Sequence, residues 1–143
     1  MFGFKVVQVK EQSMEPTIKN NDVLLIKTHF KLSSLKQNDV VIVNSPVEKN
    51  LRLIKRIVGI PGDIVQIYSN NEIVVKNKDT SVDNDQINDD WIEYEWSLDS
   101  SDFVVLSDNK QIKTHDSRLF GPITFEDVVG KVVLKIKPFS RIK

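Results

Sequence analysis

Short runs of β-branched and other apolar residues recur along the chain, separated by turn-forming residues. The runs are "DVLLIK" from Asp22, "DVVIVN" from Asp39, "LRLIKRIVG" from Leu51, "DIVQIY" from Asp63, "EIVVK" from Glu72, "DFVVLS" from Asp102 and "KVVLKIK" from Lys131. No stretch keeps a helical period over three turns, so the pattern predicts a mostly β, mostly antiparallel fold. One short helix is expected in "TFEDVVG", with Thr124 as its N-cap and Gly130 at its end.

The run from Leu51 places a lysine in an apolar row. Side chains alternate between the two faces of a strand, so Leu53, Lys55 and Ile57 share one face. An edge lysine whose ammonium group reaches water would explain this placement. Alternatively, Lys55 is desolvated, which disfavours its charged form, lowers its pKa and makes it a possible general base near neutral pH.

The segment "EQSMEPTI" contains a candidate nucleophile. Pro16 fixes its own backbone and favours an extended conformation at Glu15, so we expect Ser13 on a kinked, non-helical connection. A simple turn or a helix cap is the alternative explanation. A serine that attacks an amide needs a neighbouring base.

Composition narrows the choice of base. The chain has no cysteine and only two histidines, which excludes thiol catalysis and makes a metal site or other cofactor unexpected. His115 precedes Asp116, but adjacent side chains in an extended segment point to opposite faces, and His29 has no acid nearby in sequence. A Ser-His-Asp triad is therefore disfavoured, and a Ser-Lys dyad is the simplest catalytic hypothesis.

Charge is divided unevenly along the chain. Its 143 residues suit one domain, with or without an insertion. The net charge is zero, which gives no support to nucleic-acid binding, yet residues 69–103 carry −8 and the remainder +8. This division predicts a core of residues 1–68 and 104–143 and an acidic inserted subdomain or flap over 69–103. A long solvated loop is the alternative, although the inserted part has aromatic residues that should bury something: Trp91, Tyr94 and Trp96.

Membrane contact is left open by the sequence. No apolar run approaches the roughly 18 residues needed to span a bilayer, and no signal peptide is visible, so we expect the chain itself to be soluble. The basic tail "KVVLKIKPFSRIK", with Lys5 and Lys10, could face anionic lipid. Ordinary solvated strand faces explain it equally well.

Three segments resemble, in order and spacing, the sequence boxes of the type I signal peptidases, which are membrane-associated serine endopeptidases with a Ser-Lys dyad. They are "SMEPTI" from Ser13, "KRIVGIPGD" from Lys55 to Asp63, and "SDNKQIKTHDSRLFGPI" from Ser107 to Ile123. The likeness spans most of the chain outside residues 69–103. It implies a signal-peptidase-like antiparallel β core with a small inserted subdomain.

The resemblance also implies roles for individual residues. Ser13 would be the nucleophile, Lys55 the general base, and Thr114 the hydroxyl residue that orients the lysine amine. Asp116 and Arg118 would form a structural ion pair. The nucleophile loop and oxyanion region would comprise Glu11, Gln12, Met14, Pro16 and Thr17, with Asp108 in a structural role.

The chain departs from the family pattern at four points. Glu11 stands where a glycine or serine usually helps to form the oxyanion hole; a negative charge there would be costly, so we expect Glu11 to point away and the Ser13 N–H to be the donor. Ser107 replaces a glycine, which tests whether that turn needs a positive φ. The last box is one residue longer between Asp108 and Asp116. Finally, the transmembrane anchor of the family is absent from the twelve residues before Ser13.

The function implied is removal of N-terminal signal peptides from exported preproteins after small residues of the Ala-x-Ala type. Preprotein signal peptides and membrane lipid are the expected partners, with no nucleic acid, no cofactor and a monomeric state. The expected location is the outer face of the cytoplasmic membrane. Two alternatives stay open: a catalytically weakened relative that binds without cutting, and, less favoured, a self-cleaving protease of the SOS-repressor type, whose Ala-Gly or Cys-Gly cleavage site and DNA-binding domain are missing here.

Overall fold

Antiparallel strands make up most of the fold. The computed structural model describes residues 3–78, 90–111, 115–138 and 140–142. Within these ranges there is one α-helix, α1 (Ser117–Phe120), and there are 3₁₀ turns at Leu32–Ser34 and Phe125–Asp127. The strands are β1 (Phe4–Gln8), β2 (Val23–Lys27), β3 (Val40–Asn44), β4 (Arg52–Gly59), β5 (Asp63–Tyr68), β6 (Ile73–Asn77), β7 (Ile92–Ser97), β8 (Asp102–Leu106), β9 (Ile123–Thr124), β10 (Val128–Lys137) and β11 (Ser140–Arg141).

Eight of these strands form one sheet in the order β1-β2-β10-β3-β4-β8-β9, with β11 paired to β10. β10 lies between β2 and β3 although it comes near the end of the chain, and it pairs antiparallel with both. The apolar run of each predicted strand is found in a strand of the structure, and the prediction of a mostly β, antiparallel fold is confirmed.

The other three strands form a second sheet in the order β6-β5-β7. Its buried face packs on β8 through one apolar cluster, composed of Val65, Ile67, Leu98, Val104 and Leu106. Gly59, at the end of β4, lies at this junction: a Cβ there would come within 2.4 Å of a Val65 methyl carbon. A side chain at position 59 would therefore push the two sheets apart.

The second sheet bears on the predicted division of the chain. It includes residues 63–68, which the charge pattern assigned to the core, as well as two strands from the acidic region. Residues 79–89 lie outside the described part of the chain. The division into a core and an inserted subdomain stays a prediction.

The predicted helix from Thr124 to Gly130 is wrong in its extent. Thr124 does precede a turn and exchanges hydrogen bonds with Asp127, but the turn is a single 3₁₀ turn. Gly130 lies inside β10, because the β-branched residues from Val128 onward pair with β3. The strands β1 and β7 and the helix α1 were not predicted.

Candidate active site

Ser13 lies on a loop whose two ends are tied together. The Val9 N–H donates to the Asp22 carbonyl oxygen at 2.8 Å, and the Asn21 N–H donates to the Val9 carbonyl oxygen at 2.8 Å. Between these ends, Met14 and Ile18 point into the apolar core and are fully buried. The residue after the serine therefore anchors the loop, as expected of Met14, and Ser13 itself is only 6% exposed.

Lys55 reaches Ser13 from β4. Leu53, Lys55 and Ile57 are buried in one row, as the alternation predicted, although Ile54 on the opposite face is buried too, and Lys55 is 1% exposed. Its Nζ donates to Ser13 Oγ at 3.1 Å. The structure thus brings the predicted nucleophile and base together within hydrogen-bonding distance.

Burial is the main influence on the charge of Lys55. Desolvation lowers the pKa of Lys55 below that of an ordinary lysine, and the nearby Arg118 acts in the same direction. The carboxylates of Glu11 and Asp116 act in the opposite direction and partly restore the charged form. The lowered pKa brings the neutral amine, the form able to accept a proton, closer to neutral pH.

The expectation that Glu11 points away from the serine is wrong. Glu11 Oε1 accepts a hydrogen bond from Ser13 Oγ at 3.0 Å and another from the Ile54 N–H at 3.2 Å. The carboxylate can lie here because β4 passes beside the loop and offers it a backbone donor as well as a nearby ammonium. The carboxylate therefore lies against the hydroxyl group of the predicted nucleophile.

Asp116 organises the last box. It is fully buried, caps α1 by accepting from the Arg118 N–H, and forms a 2.6 Å ion pair with the Arg118 guanidinium. The oxygen that forms the ion pair, Oδ2, also accepts from the Ser107 N–H at 3.1 Å. The hydrogen bonds from Arg118 to Asp116 raise the pKa of Arg118. Burial of the guanidinium acts in the opposite direction but is the smaller effect. The two side chains that the resemblance pairs thus lie in contact in the structure, and their structural role stays a prediction.

A second ion pair connects the three boxes, and its cation was not predicted. Arg56 donates two hydrogen bonds to the Asp108 carboxylate, at 2.9 and 2.8 Å, and Thr17 Oγ1 donates to the same carboxylate at 2.8 Å. Arg56 lies next to Lys55 on the other face of β4. An arginine directly after the candidate base and an aspartate at the start of the last box were the signals that could have suggested this pair.

Two further residues support the nucleophile loop and were also missed. The Asn109 backbone N–H donates to the Ser13 carbonyl oxygen, and its side chain donates to the Gln12 carbonyl oxygen, both at 2.9 Å. Lys135, on β10, forms a 2.9 Å ion pair with Asp22 and donates to the Thr17 carbonyl oxygen. Gln12 thus contributes through its backbone, while its side chain is exposed.

The remaining predicted positions are less central. Pro16 is exposed on the loop, and Ser107 has no positive φ, so that turn does not require glycine. His115 is exposed whereas Asp116 is buried, in line with the argument against pairing them. Thr114 lies outside the described residues. Among the residues that the structure describes, no cluster of three histidines or acids could hold a metal ion.

Similarity to known proteins covers nearly the whole chain. The family model described as "Signal peptidase, peptidase S26" matches residues 1–137. Signal peptidase IB of Staphylococcus aureus strain COL is 29% identical over 161 aligned positions, covering 94% of this chain and 78% of the relative. Mitochondrial inner membrane protease subunit 1 of the mouse, Mus musculus, is 32% identical over 138 positions, covering 94% and 70%.

The described part of the chain contains no helix with both the length and the apolar character needed to cross a membrane.

Proposed function

The chain belongs to the signal peptidase family, peptidase S26, and on that premise we propose that it is a serine endopeptidase that removes signal peptides from exported preproteins with a Ser13–Lys55 dyad. The observation that carries the proposal is the 3.1 Å contact between Lys55 Nζ and Ser13 Oγ inside a buried site. The reaction needs an amine that can accept the serine proton, and burial favours this neutral form of Lys55.

In the proposed first step, neutral Lys55 takes the hydroxyl proton while Ser13 Oγ bonds to the scissile carbonyl carbon. The carbonyl π electrons move to oxygen, and the resulting oxyanion needs a donor such as the Ser13 N–H. Collapse of this intermediate breaks the C–N bond, and Lys55 returns the proton to the leaving amine. Water, deprotonated by the same lysine, then hydrolyses the acyl-enzyme and regenerates Ser13.

The surrounding contacts support this assignment by fixing the nucleophile. Asn109 and Lys135 donate hydrogen bonds to backbone carbonyl oxygens of the loop. The Asp116–Arg118 pair lies close enough to influence the Lys55 pKa. A role for Thr114 in orienting the amine stays a prediction. We also propose, from the resemblance, cleavage after Ala-x-Ala sites, action as a monomer at the outer face of the cytoplasmic membrane, and contact with lipid there.

The test is cleavage of a preprotein bearing an Ala-x-Ala site by the purified chain in detergent or lipid. Ser13→Ala and Lys55→Ala should each lose nearly all activity, and the double variant should lose little more, because the two residues act as a unit. Exposed Ser33→Ala and Lys49→Ala are the matched controls and should cleave like the parent. Cleavage that persists in folded Ser13→Ala would overturn the assignment.

A weakened relative that binds signal peptides without cutting them is the second candidate. The carboxylate of Glu11 on the serine hydroxyl favours it, since a negative charge beside a forming oxyanion opposes the reaction. If folded parent and Ser13→Ala protein bind the same signal peptide equally well and neither cuts it, even in anchored form, this candidate replaces the first.

A further inference from the structure

The Ser13 hydroxyl group lies between Glu11 and Lys55 and contacts both. Ser13 Oγ donates its single proton to Glu11 Oε1 at 3.0 Å and accepts from Lys55 Nζ at 3.1 Å. A hydroxyl has only one proton to donate. In this arrangement the proton that must leave Ser13 points toward the carboxylate and not toward the lysine.

The same carboxylate is fixed in place. The Ile54 N–H, from the residue that precedes Lys55 on β4, donates to Glu11 Oε1 at 3.2 Å. Because this backbone group belongs to the strand that carries the lysine, the positions of Glu11 and Lys55 are coupled. Glu11 is therefore part of the site and not a side chain that happens to fold over it.

Distance makes the charge of Glu11 effective at Lys55. Glu11 Oε1 and Lys55 Nζ both lie next to Ser13 Oγ, so the carboxylate oxygen and the amine nitrogen are no more than about 6 Å apart. Opposite charges change each other's pKa over this range. Among the described residues, Asp116 also favours the charged lysine and Arg118 disfavours it, both from the last box. Of these three groups, only Glu11 also binds the nucleophile.

We propose that Glu11 is a positioning residue that opposes activation of the Ser13–Lys55 pair, by holding the serine proton and by placing a negative charge beside the lysine amine. This inference rests on the proposed function. Attack requires neutral Lys55 and a hydroxyl turned toward it, and Glu11 works against both requirements. The pair should therefore reach full activity at a higher pH than it would with a neutral residue at position 11.

Glu11→Gln is the decisive variant, because the amide oxygen can still accept from Ser13 and from the Ile54 N–H while the charge is removed. Removing the charge should lower the Lys55 pKa, so the rising limb of kcat/KM against pH should move to lower pH by about one unit or more. At a fixed pH on that limb the variant should be about tenfold faster than the parent. Exposed Glu48→Gln makes the same chemical change elsewhere and should leave the profile unchanged.

Three results would overturn the proposal. An unmoved profile would show that Glu11 does not influence Lys55. A higher plateau at an unmoved midpoint would mean that the carboxylate acts only on the oxyanion. Loss of activity at every pH, with thermal unfolding unchanged, would make Glu11 the group that accepts the serine proton. Glu11→Gly, which removes the acceptor as well as the charge, should show the same shift as Glu11→Gln.

A measurement without substrate separates this inference from the proposed function. The Lys55 pKa can be followed by NMR of ¹³Cε-labelled lysine, with the Lys55 signal assigned by its loss in Lys55→Met. A lower Lys55 pKa in Glu11→Gln than in the parent and in Glu48→Gln supports the coupling even if no preprotein is cleaved. Equal pKa values in the three proteins would overturn the coupling even if cleavage is efficient.

Discussion

The eight-stranded and three-stranded sheets are built from similar antiparallel strands but place their charges differently. In the first sheet's region, charged groups beside the candidate dyad are buried: Lys55 is 1% exposed, and Asp116, which pairs with Arg118, is inaccessible to solvent. In the second sheet's region, the ion pair of Lys78 and Asp99 is long, at 3.7 Å, and the Asp99 side chain is 87% exposed. Charge is removed from water at these two positions beside the candidate dyad, and left in water at this ion pair of the second region.

The difference indicates what each region contributes. Buried ionised groups cost desolvation energy and are retained where their geometry is needed. The first sheet accepts that cost around Ser13, whereas the second sheet is held mainly by an apolar cluster shared with β8. Substitutions in the first region should therefore act mainly through lost charge pairs, and those in the second mainly through lost apolar packing, with effects of different size on stability.

The largest expected effect comes from replacing the buried carboxylate of the last box. Asp116→Ala leaves the Arg118 guanidinium and the Ser107 N–H without this partner and removes the cap of α1, so we expect a loss of about 3 kcal/mol in the free energy of unfolding. Asp99→Ala, the matched change in the second region, should cost less than about 1 kcal/mol because its ion pair is exposed. Urea unfolding measures both, and equal losses would contradict the contrast between the regions.

An intermediate effect should come from the aromatic residues of the second sheet. Trp96 stacks on Tyr94 with ring centroids 5.5 Å apart and packs against the shared apolar cluster. Because Trp96 is only partly buried, Trp96→Ala should cost about 2 kcal/mol, less than a fully buried aromatic residue. Trp91, which is 69% exposed, is the internal control, and Trp91→Ala should change stability by no more than about 0.5 kcal/mol. Thermal or urea unfolding that ranks Trp91 above Trp96 would disprove this assignment of the packing.

The smallest expected effect is a gain in the free energy of unfolding. Lys55→Met keeps the volume of the buried side chain and removes a charge that burial disfavours, so we expect about 1 kcal/mol of added stability at neutral pH together with loss of activity. The folded-state pKa of Lys55 lies below its unfolded value, so the stability penalty is complete below the folded pKa and fades as the pH rises toward about 10.4. The stability difference between variant and parent should therefore shrink as the pH is raised above 7. A difference that grows with pH would show that Lys55 is not destabilised by burial.

Alternation along single strands explains how much could be predicted from the sequence. The two-residue period of β4 placed Lys55 in a buried row, and the three boxes placed Ser13 and Asp116 in the right order. The same period is present in β7, where Ile92, Tyr94 and Trp96 alternate with glutamates, but the acidic composition of the region favoured a loop or flap. Local rules also placed a cap at Thr124 correctly and could not show that sheet pairing ends the turn after Asp127.

The contacts that escaped prediction join segments far apart in the chain. The direction of Glu11 depends on a backbone donor at Ile54, and the partner of Asp108 depends on which face of β4 meets the last box. An electrostatic argument about an isolated oxyanion therefore gave the wrong direction for Glu11. It omitted the lysine and the N–H group that the fold brings to the carboxylate.

The supports of the nucleophile loop also set an order of events during synthesis. Asn109 is 97 residues from Gln12, whose carbonyl it binds, and Lys135 is 118 residues from Thr17. A ribosome that has translated as far as residue 100 has produced both Ser13 and Lys55 but neither of these supports. The serine loop can receive all of these contacts only after Lys135 has been translated, so a nascent chain that stops before that residue does not carry a finished active site.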